Sequence, residues 1–353
     1  MNNKTIVLTG GGTAGHIMPN IALLPELKKY FDKIYYLGSA NSMEEKIMQN
    51  YKEVIFVKIP TTKFIRKFTI KNLAIPFKLV NSVCKTKKIL KTINPDIIFC
   101  KGGFVSVPVA LAGKKLKIPV ISHESDFSMG LANKIILKNA NIMCTSFEDT
   151  CKNNKKVICT GSPIRKELFY GNKEIAKKSI HNFDEKLNTI MFFGGSSGSK
   201  TINDMVFNSI EELTKRYNVI HIVGKNNGKK INCPHYFQLE FTYNIQDYFA
   251  LSDLVVCRGG ANSLFELLAL NKPMLIIPLS KAQSRGDQIE NAIYFKNKKY
   301  ADILLEEDIS TNNILSKINN TIANKEKYIN AMKTAKQINS NAQIIDIITK
   351  NIK

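Results

Sequence analysis

The feature that most constrains the fold of this chain is a short unit that occurs twice: an apolar strand, a glycine-rich turn and a helix. The first copy starts at Thr5 and reads Thr-Ile-Val-Leu-Thr-Gly-Gly-Gly-Thr-Ala-Gly, and the second starts at Thr189 and reads Thr-Ile-Met-Phe-Phe-Gly-Gly-Ser-Ser-Gly-Ser. Continuous apolar strands are typical of a parallel sheet with helices on both faces. The pattern therefore predicts an α/β fold with right-handed strand–helix–strand crossovers.

Further strand-like runs follow each copy and divide the chain into two similar series. The predicted strands of the first series are Thr5–Thr9, Lys33–Leu37, Val54–Ile59, Asp96–Cys100, Pro119–Ser122, Ile142–Thr145 and Lys156–Thr160. Those of the second are Thr189–Phe193, Val219–Val223, Tyr236–Phe241, Leu254–Cys257, Met274–Pro278 and Asp302–Leu305. The 353 residues suit two domains. We predict two Rossmann-like, doubly wound domains over 1–162 and 163–336, and a C-terminal helix over 337–353 that packs back toward the first domain.

Composition excludes several other classes of protein. No apolar run reaches the roughly 18 residues that a membrane span needs, and no signal-peptide pattern precedes the first strand, so we expect neither. The seven cysteines include no Cys-x-x-Cys pair. This pattern favours reduced thiols over a disulfide framework or a structural zinc site.

The positive charge is unevenly distributed. The chain has 51 Lys and Arg against 29 Asp and Glu, and residues 1–162 hold 25 of the basic residues but only 10 of the acidic ones. Residues 61–93 carry nine basic side chains and no acidic one. A general drift toward lysine does not explain that segment, so nucleic acid, an anionic membrane and an acidic substrate are the candidate partners.

The first glycine turn, Gly10-x-Gly12-x-x-Gly15, matches the dinucleotide-binding pattern on paper. That pattern also needs an acidic residue at the end of the second strand for the ribose hydroxyls. Here the second strand ends in Leu-Gly-Ser and Asp32 precedes it, so nicotinamide binding is disfavoured. His16 follows the turn at the ligand-binding edge of the sheet, where an imidazole with a pKa near ~6.5 suits a general base. A structural histidine is the alternative.

Four more segments carry polar residues where a predicted strand ends. They are Gly194–Ser199, Arg258–Glu266, His123–Asp126 and Ser284–Gln288. In the first two, glycines lead into a helix whose N-terminal N–H groups can hold a phosphate. Glu266 lies further along its helix, where a carboxylate can accept hydrogen bonds from ribose hydroxyls. The alternative is that Arg258 and Glu266 are ordinary solvated charges.

Taken in order, the motifs of this chain resemble one family. They are Gly11-Gly12-Thr13-Ala14-Gly15-His16, Lys101-Gly102-Gly103-Phe104-Val105-Ser106, His123-Glu124, Gly130-Leu131-Ala132-Asn133-Lys134, Gly161-Ser162-Pro163-Ile164-Arg165, Gly194-Gly195-Ser196, Cys257-Arg258-x-Gly260-Ala261 and Asp287-Gln288. The chain resembles the N-acetylglucosaminyltransferases that form lipid II in peptidoglycan synthesis. These are inverting glycosyltransferases of the GT-B fold, in which two Rossmann-like domains face a cleft.

The resemblance implies a donor site for UDP-GlcNAc in the second domain. Arg165 and Ser196 would contact the diphosphate and sugar, Phe241 and Thr242 the uracil, and Asp287 and Gln288 the GlcNAc. The segment that would hold phosphate and ribose is Arg258, Ala261, Asn262, Ser263, Leu264, Phe265 and Glu266. Thr13, Ala14 and Gly15 would close the site from the first domain. Ala14 replaces a frequent glycine, and Ser125-Asp126 stands where many members carry Gln-Asn, which affects the expected contact at Asp126.

The resemblance also implies the reaction and its setting. The C4 hydroxyl of MurNAc in lipid I attacks the anomeric carbon as UDP departs, with His16 as the base and Glu124 or His123 as alternatives. We expect no cofactor and no metal, because helix N-termini and Arg165 suit the departing UDP.

Because lipid I is membrane-anchored, we expect a peripheral protein at the cytoplasmic face of the bacterial membrane, near other cell-wall synthesis proteins. The expected anionic-lipid patch is Lys63, Phe64, Arg66, Lys67, Phe68, Lys71, Phe77 and Lys78. The alternative is that its apolar members are core residues and its lysines are merely solvated.

Three other functions remain open at this stage. The nearest is a UDP- or TDP-sugar transferase of the same fold with another acceptor. A Rossmann oxidoreductase lacks the required acidic residue, and a nucleic-acid binder lacks a known motif. We therefore expect no nucleic-acid partner.

Overall fold

The computed structural model describes residues 4–62, 75–151, 154–195, 197–335 and 340–352. The chain divides into two compact units, Met1–Arg165 together with Asn339–Lys353, and Lys166–Ile338. We refer to them as the N-terminal and the C-terminal unit. The division after Arg165 falls slightly beyond the position predicted from the sequence.

The N-terminal unit contains a seven-stranded parallel sheet within the described residues. Its strands are β1 (Thr5–Thr9), β2 (Lys33–Gly38), β3 (Val54–Lys58), β4 (Ile97–Cys100), β5 (Val120–Glu124), β6 (Ile142–Thr145) and β7 (Val157–Cys159). Its helices are α1 (Ala14–Leu27), α2 (Met43–Met48), α3 (Ile75–Ile93), α4 (Ser106–Lys115), α5 (Leu131–Asn139) and the C-terminal α13 (Ser340–Lys350). The strand order β3-β2-β1-β4-β5-β6-β7 reverses between β1 and β4. In open α/β sheets, ligands bind at the carboxyl ends of the strands beside this switch point.

Alternate residues of each strand enter two separate cores, because side chains of a strand point to opposite faces. Ile6 and Leu8 of β1 pack with α1 and α13 on one face, and Val7 packs with α3, α4 and α5 on the other. Both faces are buried, which explains why the three central residues of β1, Ile6, Val7 and Leu8, are all apolar.

The C-terminal helix α13 packs on the N-terminal unit. Ile344, Ile345 and Ile348 are buried in the core cluster that contains α1 and β1. Asn341 fixes the start of the helix, since its side chain accepts a hydrogen bond from Ile164 N at 2.9 Å and donates to Ile164 O at 2.8 Å. The chain end is therefore part of the first folding unit.

The C-terminal unit repeats the same topology with six described strands. They are β8 (Asn188–Phe193), β9 (Tyr217–Ile222), β10 (Tyr236–Leu239), β11 (Leu254–Cys257), β12 (Met274–Ile276) and β13 (Ala301–Ile303), in the parallel order β10-β9-β8-β11-β12-β13. The helices are α6 (Lys173–Lys178), α7 (Lys200–Thr214), α8 (Ile245–Leu251), α9 (Ala261–Ala269), α10 (Asp287–Asn297), α11 (Thr311–Ala323) and α12 (Lys325–Lys333). Its switch point lies between β8 and β11.

The predicted α/β class with two doubly wound parallel sheets is confirmed. Four strands end two residues from the predicted position: β12 and β13 end early, at Ile276 and Ile303, and β5 and β10 are the other two. β5 continues through Glu124, because His123 and Glu124 pair with β6 and are buried. β10 ends at Leu239, which leaves Phe241 in the following loop. No helix of the described residues is long and apolar enough to cross a membrane.

Candidate active site

The first glycine turn positions His16 at the switch point of the N-terminal unit. Gly12 has a φ of +86°, a conformation that glycine adopts at little cost, and Thr13 then caps α1 in an extended conformation. His16 Nδ1 lies 3.1 Å from Gly11 O and 3.1 Å from Thr13 Oγ1. Because a carbonyl oxygen can only accept, Nδ1 carries the proton and the ring lone pair is on Nε2. This tautomer suits a base.

A buried carboxylate lies beneath the same turn and had no separate signal in the sequence. Glu44, on α2, is 1 % exposed. Its two oxygens accept hydrogen bonds from Gly12 N at 3.3 Å and from Ser39 N at 3.1 Å. Glu44 therefore braces the glycine turn against β2, and the Gly12 N–H is already paired with an anion of the protein itself.

His123 is completely buried in this structure. Its Nε2 donates to Gly161 O at 2.8 Å, and no described residue hydrogen-bonds to its buried Nδ1. Burial, reinforced by the nearby positive charge of Lys101, holds the His123 pKa well below its ordinary value. A neutral, enclosed imidazole is poorly placed to reach a substrate, so we assign His123 a structural role in place of the base role considered above.

Glu124 organises the loop that follows β5. Its Oε1 accepts from Asp126 N at 3.0 Å, and its Oε2 accepts from Gly130 N at 3.1 Å and from Asn133 Nδ2 at 2.9 Å. Glu124 is 5 % exposed, whereas Asp126 is half-buried. A carboxylate with three such donors fixes a loop, which is a different task from abstracting a proton.

The second glycine turn opens α7 in the C-terminal unit. Ser199 caps this helix through its hydroxyl, which accepts from Ile202 N at 3.3 Å. Gly198 has a φ of +75°, and a Cβ there would lie 2.1 Å from Val223 O, so only glycine fits. A Cβ on Gly195 would meet no atom within 4 Å, so the turn is open on that side. Ser196 lies outside the described residues.

The sequence led us to expect Arg258 at a phosphate, but in the structure its partners are other groups of the protein. Its side chain is 11 % exposed, and Nη1 lies 2.7 Å from Oε1 of Glu306, which is 10 % exposed. Nη1 also donates to Ile277 O at 3.2 Å. Glu306 further accepts from Thr201 Oγ1 at 2.9 Å and from Ser280 N at 3.0 Å. Arg258 is therefore committed to a partly buried ion pair that joins the loops after β11, β12 and β13 to α7.

A third glycine turn, Arg258–Gly260, leads into α9, and the start of this helix supplies the remaining polar groups of that turn. Leu264 and Phe265 are buried in the core, at 0 % and 2 % exposure, so their side chains do not face a ligand. Asn262, Ser263 and Glu266 are partly exposed. The expected donor contacts of this segment are thus restricted to these three side chains and to the N-terminal N–H groups of the helix.

Gln288 is held close to the third turn. A Cβ on Gly259 would lie 2.5 Å from Gln288 O, and the side-chain Oε1 accepts from Leu279 N at 3.0 Å. The Gln288 side-chain NH₂ group remains as a donor. Asp287 begins α10, and its Oδ2 lies 3.5 Å from Arg285 Nη2.

The other predicted donor residues lie in loops or at element ends. Phe241 is 49 % exposed and packs edge-on to Tyr243, while Thr242 Oγ1 accepts from Asn244 N at 3.1 Å. Arg165 is half-buried at the end of the N-terminal unit. The predicted residues that lie outside the described residues are Ser196, Lys63, Phe64, Arg66, Lys67, Phe68 and Lys71.

Comparison with known proteins identifies the class to which this fold and these sites belong. Residues 6–145 match the glycosyltransferase family 28 N-terminal domain, and residues 189–348 match the glycosyltransferase family 28 C-terminal domain. The structure of MurG from Acinetobacter baumannii superposes with a TM-score of 0.77, at 22 % identity over 98 % of this chain and 99 % of that one. The protein is a glycosyltransferase with the GT-B fold.

Relatives that match over the full length of the chain identify the family within this class of glycosyltransferases. The UDP-N-acetylglucosamine--N-acetylmuramyl-(pentapeptide) pyrophosphoryl-undecaprenol N-acetylglucosamine transferase of Clostridium tetani is 44 % identical over 98 % of both chains. The enzyme of the same name from Clostridium botulinum is 43 % identical over 100 % of this chain and 99 % of its own. The chain belongs to this family of N-acetylglucosamine transferases.

Proposed function

We propose that this protein transfers GlcNAc from UDP-GlcNAc to the C4 hydroxyl of MurNAc in undecaprenyl-pyrophosphoryl-MurNAc-pentapeptide, which is lipid I. The products are lipid II and UDP, and the anomeric configuration inverts. The observation that carries this proposal is the 44 % identity to a transferase of that name over 98 % of both chains. A single in-line displacement by the hydroxyl accounts for inversion.

His16 is the proposed base on the acceptor side. The supporting observation is its tautomer, since the contact of Nδ1 with Gly11 O leaves the lone pair on Nε2. The fully engaged carboxylate of Glu124 and the enclosed imidazole of His123 favour His16 over both alternatives. His16 takes the hydroxyl proton as the new glycosidic bond forms and UDP leaves.

The donor binds at the second and third turns of the C-terminal unit in this proposal. The N-terminus of α9 and the glycine turn that is open at Gly195 stabilise the charge of the departing diphosphate. Glu266 accepts hydrogen bonds from the ribose hydroxyls, and Asp287 and the NH₂ group of Gln288 contact the GlcNAc. Phe241 and Thr242 lie beside the uracil.

Replacing Glu266 by Gln tests the ribose contact. A hydrogen bond to a charged group contributes about 1.5–3 kcal/mol, so UDP affinity, measured by isothermal titration calorimetry, is expected to fall roughly 10-fold or more. The wild type should bind 2′-deoxy-UDP more weakly than UDP, whereas E266Q should distinguish the two nucleotides much less. Equal losses for both nucleotides would show that Glu266 does not contact the 2′-hydroxyl.

We infer that the N-terminal unit binds the anionic cytoplasmic face of the membrane as a peripheral protein, where lipid I and other cell-wall synthesis proteins are found. The supporting observation is the start of α3, where Phe77 and Val80 are 80 % and 62 % exposed next to the exposed Lys78. Apolar side chains presented to water beside lysines suit a lipid headgroup region.

Reversing the charge at Lys78 tests this surface. Each basic residue near an anionic bilayer contributes about 1 kcal/mol. K78E removes one positive charge and adds one negative charge, so it should cost about 2 kcal/mol and lower binding to phosphatidylglycerol-containing vesicles by roughly 30-fold. The matched control is K327E on α12 of the C-terminal unit, an exposed lysine outside the patch. Equal losses in the two variants would show that only net charge matters.

A further inference from the structure

Lys101 is a buried lysine at the switch point of the N-terminal unit, and nothing above gives it a task. It directly follows β4 and is 1 % exposed. Its Nζ donates to Ser125 Oγ. Lysine is rarely buried unless its ammonium has partners. The groups that surround Lys101 therefore indicate what its charge does.

The segment Lys101–Gly103 connects the two loops at the carboxyl edge of the sheet. On one side, Lys101 N donates to Thr9 O at 2.8 Å, and a Cβ on Gly103 would lie 3.1 Å from His16 Nδ1. On the other side, a Cβ on Gly102 would lie 2.8 Å from Asn133 Nδ2, the amide that holds Glu124. A displacement of this segment would therefore move both the His16 turn and the loop after β5.

The charges around the ammonium come from β5, its following loop and β6. Burial lowers the pKa of Lys101 to about 8, and the carboxylates of Glu124 and Asp126 and the thiol of Cys144 act in the opposite direction. His123 of β5 is neutral, so it adds no positive charge that would repel the ammonium of Lys101. On the β1 side the contacts are with backbone and glycine atoms. The two carboxylates are thus the counter-charges of Lys101.

We infer that Lys101 is a positioning residue for the acceptor half of the reaction, whose ammonium holds the Ser125–Gly130 loop in place against the turn that carries His16. Ser125 supplies the hydroxyl acceptor and Asp126 a counter-charge. The inference rests on the proposed function, because that function assigns the acceptor to this edge.

The pH dependence of stability and that of activity together separate a positioning role of Lys101 from a merely structural one. Because burial depresses the folded-state pKa of Lys101, the unfolded chain binds more protons between about pH 8 and its ordinary value of 10.5. The contribution of Lys101 to stability therefore rises with pH in that window. Positioning by the charged form requires the opposite trend in activity, with kcat/KM for the acceptor falling as the ammonium loses its proton above about pH 8.

The experiment measures kcat/KM for a lipid I analogue from pH 6 to 10 in the full-length wild type, K101M, K101R and S125A. At neutral pH, kcat/KM of K101M is expected to be roughly 10-fold lower than that of the wild type. K101M should also lack the basic limb of the pH profile, which is the fall in kcat/KM above about pH 8, while its affinity for UDP stays unchanged. K101R, which keeps its charge, should retain more activity and shift the limb to higher pH. S125A should lower the pH at which the limb begins.

K272M is the matched control, because Lys272 is a part-buried lysine of the C-terminal unit whose pKa burial also lowers to about 8. Its Nζ donates to Ala250 O and Ser252 O. K272M should keep the basic limb of the wild type. An unchanged limb in K101R and S125A would overturn the inference, even if K101M fails to fold.

The stability difference between wild type and K101R or K101M, followed by urea unfolding from pH 8 to 10.5, keeps this inference separate from the proposed function. If the wild type releases no UDP with the lipid I analogue, the proposed function fails, and with it the positioning role. If the wild type is active but the stability difference does not vary with pH, Lys101 is not a buried titrating charge and only this inference is overturned.

Discussion

Replacing His16 by alanine is expected to lower kcat by roughly 10²–10⁴-fold, the usual contribution of a positioned general base. The physical reason is that the attacking hydroxyl must lose its proton as the glycosidic bond forms, and the Nε2 lone pair is the acceptor. The affinity for UDP should not change, since His16 belongs to the N-terminal unit. Steady-state kinetics with varied acceptor, together with calorimetry for UDP, separate the two effects.

H181A is the control for this variant, because His181 is an exposed histidine of the C-terminal unit. It should retain the kcat and KM of the wild type. A variant H16A with nearly normal kcat and only an altered KM would assign His16 to binding and would remove it as the base.

Replacing Glu306 by alanine is expected to lower the stability of the C-terminal unit strongly. The substitution leaves the partly buried guanidinium of Arg258 without its counter-charge, and the cost of about 3–5 kcal/mol for breaking a fully buried pair is the upper bound for this one. Thr201 and Ser280 lose their acceptor at the same time. Urea unfolding should show a lower midpoint, and UDP affinity should fall because the loops after β11 and β12 are released.

The double variant R258M/E306M tests whether the unpaired charge is the cause. Replacing both partners by apolar residues of similar size is often neutral, so the double variant should recover most of the lost stability. If it is as unstable as E306A, the hydrogen bonds from Thr201 and Ser280 carry the effect instead of the ion pair.

The same pair predicts an acid sensitivity. Burial raises the Glu306 pKa, but the hydrogen bonds from Arg258, Thr201 and Ser280 outweigh it and hold the pKa below the ordinary value of 4.5. The stabilisation is therefore present above pH 4.5 and is lost as the pH falls through the folded-state pKa. E306Q should lose less stability than the wild type on acidification over that range, measured by thermal unfolding.

The sheets could be predicted from the sequence because burial on both faces makes parallel strands continuously apolar. One error at a site, the end of β5, arose because that rule considers only apolar residues. His123 and Glu124 are polar and were placed after the strand, yet they pair with Cys144 and Thr145 and are buried. Polar residues continue a strand when tertiary partners satisfy them, which a local pattern does not show.

The glycine turns could also be predicted, whereas the groups that brace them could not. Glu44 and Glu45 are adjacent in the first turn of α2, but only Glu44 lies beneath the Gly12 turn. Arg258 was expected at a phosphate because it stands next to glycines, and its partner Glu306 is far away in the sequence. Such pairings are decided by how the strand ends come together in the sheet.

The central claim is tested most directly by UDP release from UDP-GlcNAc in the presence of a lipid I analogue, with UDP-glucose and a soluble acceptor as comparisons. We expect UDP release that requires both UDP-GlcNAc and the lipid-linked acceptor, with much less release from UDP-glucose and little with the soluble acceptor. No release with the lipid I analogue, or equal release from UDP-glucose, would contradict it.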